Sequence, residues 1–99
     1  MSSSSSIQYG TEFEDNDAGY MKWLKANPKG FVINCDLKPI ADYVVLHKSN
    51  CKTISGEPAK GEGWTVAYKK VCSDMAIQLE LWSRRAVGVL PHRCEKCQP

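Results

Sequence analysis

The sequence predicts an α+β fold, a small antiparallel sheet with two helices, on three observations. Residues 31–35, 42–47 and 64–72 are rich in β-branched and aromatic side chains, and the link between the first two is too short for a parallel crossover. Residues 17–26 and 73–86 carry apolar side chains at helical spacing. His47-x3-Cys51 and Cys94-x2-Cys97 are two pairs of soft donors, the sequence form of one structural zinc site.

The elements follow in order. Ser2 to Ser6 is low in complexity, so residues 1–10 read as a disordered N-terminal segment and residues 11–99 as one domain. Residues 7–13 would lie extended against that domain. Asp15-Asn16-Asp17 offers capping oxygens and negative charge to a helix start. Tyr20, Trp23 and Leu24 give that helix its apolar side, and Pro28 with Gly30 ends it. The first strand is Phe31-Val32-Ile33-Asn34-Cys35, and Pro39 interrupts before the second strand ends at His47. Residues 52–63 hold Gly56, Pro58, Gly61 and Gly63 among polar side chains and read as a mobile loop.

In the third strand, Trp64, Val66 and Tyr68 alternate with Thr65, Ala67 and Lys69, which predicts one buried face. Ser73 then caps a helix whose stripe is Met75, Leu79, Trp82 and Ala86. Arg84 and Arg85 complement its C-terminal dipole, and Gly88 terminates it.

A chain of 99 residues buries only about 60–65% of its unfolded surface, so a metal that ties distant segments together matters to its stability. The five cysteines form an odd set, and Met1 with its serine run lacks the basic and apolar regions of an export signal. A reducing, cytoplasmic setting is the expectation, with metal binding favoured over disulfides. No apolar stretch reaches membrane-spanning length.

The expected ligands are His47, Cys51, Cys94 and Cys97 around a structural Zn2+. Two alternatives to His47 stay open. His92 stands two residues before Cys94, and Cys72 lies at a boundary between strand and helix. Cys35, in mid-strand, reads as core.

The run Leu46-His47-Lys48-Ser49-Asn50-Cys51, then a helix, Gly88 and Arg93-Cys94-Glu95-Lys96-Cys97-Gln98-Pro99, resembles the metal-binding module of Ada-type DNA-alkylation repair regulators. That module carries Cys-x3-Cys and later Gly-x-x-Pro-Cys-x-x-Cys-x-Pro on zinc. The match covers residues 43–51 and 73–99. The resemblance implies that His47, Cys51, Cys94 and Cys97 occupy its four ligand positions in that order. It also implies a link to DNA in a bacterial-type defence, repair or regulatory context. In the family the first cysteine accepts a methyl group from a DNA phosphotriester. A histidine there holds zinc but is a poor methyl acceptor, so methyl transfer is not implied.

Residues 20–99 hold all 13 Lys and Arg against 7 acids, while residues 1–19 hold four acids and no base. Such an excess suits nucleic acid. The candidate phosphate contacts are Lys48, Lys52, Lys69, Lys70, Arg84, Arg85, Arg93 and Lys96, with Trp64, Tyr43 and Tyr68 as possible stacking partners for a base. The sequence has no Gly-rich phosphate loop, no HExxH helix and no paired-carboxylate signature, and three thiolates with a histidine fill a tetrahedron. The expectation is a non-enzymatic nucleic-acid-binding module, DNA-directed. The alternative is a protein-interaction adaptor or inhibitor in which zinc is purely structural.

Overall fold

The computed structural model describes residues 9–55, 64–66 and 68–99. The expected loop beyond residue 55 and residues 1–8 of the expected N-terminal segment lie outside them. Tyr9, the first described residue, already packs on the core, so the ordered chain starts before residue 11. The elements are β1 (Thr11–Phe13), α1 (Asp17–Ala26), β2 (Phe31–Ile40), β3 (Tyr43–Lys48), α2 (Lys52–Ser55), β4 (Tyr68–Ser73), α3 (Ala76–Val87) and β5 (His92–Arg93). The fold is α+β, a mostly antiparallel five-stranded sheet in the order β1-β4-β2-β3-β5. Among the described residues, only the β3–β5 pair is parallel. No helix among the described residues is long and apolar enough to cross a membrane.

Helix α1 begins where the Asn16 side chain accepts from the Gly19 N–H at 3.0 Å. Asp17 does something else. Its carboxylate accepts from the Trp64 and Thr65 N–H groups at 2.8 Å each and from the Thr65 hydroxyl at 2.6 Å. Residues 64–66 are therefore captured as a turn on the start of α1, not as the head of a strand, and β4 begins only at Tyr68. The expected buried face of that strand is corrected with it. Val66 and Tyr68 are exposed, whereas Lys70, Val71 and Cys72 are buried in the middle of the sheet.

Three further elements differ from expectation. Strand β2 continues through Pro39, which sits where the register with β3 shifts between Cys35 and Ile40 and no ladder N–H is required. The chain after Cys51 forms the single turn of α2. Helix α3 starts at Ala76; the Ser73 hydroxyl accepts only from the Met75 N–H. Of its expected stripe, Leu79 and Trp82 are buried with Ser83, while Met75 and Ala86 face solvent. Gly88 ends it at φ 81°, donating its N–H to the Arg84 carbonyl at 3.0 Å.

Strand pairing divides the sheet into two faces. Val71, Ile33 and Leu46 lie side by side across β4, β2 and β3, and with Cys35, Val44, Leu79 and Trp82 they form the layer under α3. Cys72, Val32 and His47 form the corresponding row on the other face. That face packs Phe13, Tyr20, Leu24, Cys51 and Ile54, with Cys94 and Cys97 against their margin.

Candidate metal centre

Each ligand candidate is delivered by a different local device. Strand β3 presents His47 on the α1 face, beside Val32. The turn after β3 is closed by the Ser49 N–H on the Gly30 carbonyl at 2.9 Å and the Cys51 N–H on the Lys48 carbonyl at 2.9 Å. It brings Cys51 back under His47. The tail arrives by β5, where His92 pairs with Val45 and Arg93 with Leu46. The Cys94 N–H then donates to the Leu46 carbonyl, and the Gln98 N–H to the Cys94 carbonyl, at 2.9 Å each. These bonds set Cys94 and Cys97 opposite Cys51.

The ligand atoms of His47, Cys51, Cys94 and Cys97 all lie within 4.8 Å of one another. Cys51 Sγ and Cys94 Sγ are 3.9 Å apart. Sulfurs bound tetrahedrally at about 2.3 Å from a common ion stand about 3.8 Å apart, so the set fits one metal ion with little movement. Among the described residues these four form the group that can hold a metal. The two alternatives drop out for reasons of register. Cys72 is separated from His47 by Val32, two strand spacings or about 9.6 Å. His92 is exposed and sits one layer away, beside Val45. Cys35 is core, as expected.

The electrostatics suit a cation. Burial, with the Lys70 ammonium adding to it, pushes His47 down to about 4, so the imidazole is neutral and ready to coordinate. Burial opposes ionisation of Cys94, but the Cys97 and Lys96 N–H groups aimed at its sulfur outweigh it and hold the thiol below its ordinary value. Burial pushes Cys97 up to about 11 despite the Lys48 N–H donating to its sulfur at 3.2 Å, and the adjacent cysteine sulfurs raise it further. Three thiols this close cannot all ionise unaided; a dication among them removes that obstacle.

Thr53 is a contributor that sequence reasoning missed. Its hydroxyl stands 3.0 Å from Cys51 Sγ and 3.3 Å from His47 Nδ1. It can accept from Nδ1–H while donating to the sulfur, which leaves Nε2 of the ring for the metal. A hydroxyl two residues after a ligand was the sole signal, and alone it specifies nothing.

The basic candidates divide. Lys48, Lys52 and Lys96 converge on a cleft of 570 Å³ that Asn50, Cys51, Thr53 and Cys97 also line. Lys29, absent from the sequence-based set, joins Lys48 and Asn50 around an adjoining hollow. The other candidates are not part of this cleft. Lys69 is held by Glu12 at 3.1 Å and Glu14 at 2.9 Å. Lys70 is 2% exposed, its ammonium donating to Asn34 Oδ1 at 2.6 Å and the Trp64 carbonyl at 2.7 Å, so it is an internal residue and reaches no phosphate. Arg84 and Arg85 belong to α3, on the opposite face, and Arg85 lines a cleft with Tyr9 and Trp82 at the β1 edge. Arg93 turns toward α3, bonding Glu80 at 3.4 Å and the Pro99 carbonyl at 3.2 Å.

No protein-family model, curated protein or solved structure matches the chain.

Proposed function

We propose that the chain is a non-enzymatic nucleic-acid-binding module, DNA-directed, in which one structural Zn2+ on His47, Cys51, Cys94 and Cys97 fixes a lysine-lined cleft. The convergence of Lys48, Lys52 and Lys96 on the cleft that two ligand cysteines also line is the observation that carries this reading. Three thiolates and an imidazole satisfy zinc and leave it no open position, which supports a structural over a catalytic metal. The three lysines come from both halves of the metal site, so the ion that joins those halves also assembles the charge. The Ada-type resemblance adds the preference for DNA.

The test is a salt titration of DNA affinity with zinc-loaded protein. Each phosphate contact contributes a slope of about −0.9 in log affinity against log salt on duplex, or about −0.7 on single strands. Alanine at Lys48, Lys52 and Lys96 together should flatten the slope by about 2 to 3. No retention on DNA at any salt overturns the reading and favours a protein-interaction adaptor. The outward Ile77 and Leu81 of α3, 51% and 42% exposed and one helical turn apart, would serve such an adaptor.

A further inference from the structure

The α1 face of the sheet holds a second feature, away from the candidate metal centre, where Trp64 packs on the core and two tyrosine rings lie beyond it. Tyr68 pairs with Asp36 across β4 and β2, and Lys70 pairs with Asn34 in the next row, where Asn34 also pairs with Val45 of β3. The rings of Tyr43 and Tyr68 are 5.7 Å apart and tilted by 52°. The Asn34 amide donates to the Tyr43 hydroxyl at 2.8 Å. The Lys70 ammonium, bound to the other end of the same amide, lies 5.8 Å from the Tyr68 ring and 5.9 Å from the Trp64 ring. The Tyr43 hydroxyl is thus bonded into the partly buried Lys70–Asn34 network and its ring packs on Tyr68, while the Trp64 carbonyl receives the Lys70 ammonium; Tyr68 is 43% exposed and Tyr43 and Trp64 are half-buried.

We propose that Tyr43, Tyr68 and Trp64 form a stacking platform for the bases of single-stranded nucleic acid. The inference rests on the nucleic-acid reading above and names the form of nucleic acid that it takes. Rings fixed before binding lose little entropy on binding, and base–aromatic stacking is worth about 1–3 kcal/mol per base. A duplex hides the base faces that such a platform needs. Asp36, paired with Tyr68, repels a phosphate, so the sugar–phosphate backbone must leave the platform. Strand β3 leads from Tyr43 to Lys48, about 16 Å along the strand, so the lysine cleft lies where the departing phosphates can be met. The alternative guest for an aromatic cluster is an organic cation such as a methylated lysine. The Lys70 ammonium already beneath the rings repels a second positive charge.

The experiment measures fluorescence anisotropy of a labelled single-stranded oligonucleotide, the matching duplex and a trimethyl-lysine peptide, with the zinc-loaded full chain. The single strand should bind more tightly than the duplex. Tyr68→Ala should weaken it about 5- to 150-fold, the loss of one stacked base, with zinc content, melting temperature and salt slope unchanged. Tyr68→Phe should bind as wild type, and Tyr68→Trp should show indole quenching by the single strand even if the alanine variant fails to fold. Equal or tighter duplex binding, a neutral Tyr68→Ala, an unquenched Tyr68→Trp, or peptide binding in place of oligonucleotide binding overturns the platform. A flat slope in the lysine variant with a neutral Tyr68→Ala sinks the platform and keeps the cleft. A wild type that binds no nucleic acid sinks both.

Discussion

The two faces of one sheet are stabilised by different physics. Under α3 the layer is dry hydrocarbon, with Ile33, Val44, Leu46, Val71 and Leu79 all at or below 1% exposure. Under α1 hydrocarbon fills only the middle. One margin gathers four His and Cys side chains from two distant segments into a group that could hold a metal ion, and the other carries the Lys70–Asn34–Tyr43 network. The difference teaches where function has room. Hydrocarbon packing carries no chemistry, whereas clustered thiols and a buried ammonium are costly unless each finds its partner. In this fold the costly groups and the lysine cleft share a face.

The comparison can be broken most severely at the metal. Cys97→Ser, or a strong chelator acting on wild type, should unfold the domain or lower its melting temperature sharply. Structural zinc contributes on the order of 10 kcal/mol of apparent binding energy, against about 5–15 kcal/mol of total stability for a small domain. Circular dichroism melts with parallel metal analysis test this, and equal metal content in both proteins would discard the ligand assignment. Cys35→Ser, across the sheet, should leave metal content intact.

On the α3 face, Leu79→Ala should cost about 2–5 kcal/mol by opening a cavity, measured by urea unfolding, with the zinc count per chain retained. Loss of zinc in that variant would show that the faces are not independent.

Lys70 gives a smaller, pH-dependent effect. Burial pushes it down to about 8, below its ordinary 10.5. The unfolded chain then binds more protons than the folded one between those two values, so stability should rise as pH climbs through that window. Lys70→Met removes the titration, so wild type should gain stability relative to the variant as pH rises from 8 toward 10.5; a constant difference would reject the shift.

The smallest change is Thr53→Val. It removes the hydroxyl between His47 and Cys51 and should weaken metal affinity about 10- to 100-fold. Competition with a chromophoric chelator measures it, and recovery in Thr53→Ser would separate the hydroxyl from simple packing.

The sequence displayed the parts of this molecule that depend on short spacing. The helix at residues 17–26, the antiparallel pair of β2 and β3 and the two ligand pairs are all written within a few residues, and all three appear in the fold. What depends on long-range register was not legible. Whether His47, His92 or Cys72 joins Cys51, Cys94 and Cys97 in one cluster is decided by which residues stand opposite Val32 and Val45. A lysine in a β-rich run looks like a solvated residue, and it is the Asn34 amide, 36 residues earlier, that together with the nearby Trp64 carbonyl makes Lys70 internal. The turn at residues 64–66 was hidden in the same way, because the carboxylate that captures it lies 47 residues earlier, at Asp17.

Strand β5 is two residues long and covers part of the outer edge of β3, whose Val44-Val45-Leu46 run carries high β-propensity. The knuckle anchors that cover, since Cys94 follows it directly. If the proposed zinc holds that knuckle, stripping it frees the cover and bares a sticky strand to its neighbours, so the apo chain should self-associate edge to edge into fibrillar or amorphous aggregates while the loaded chain stays dispersed.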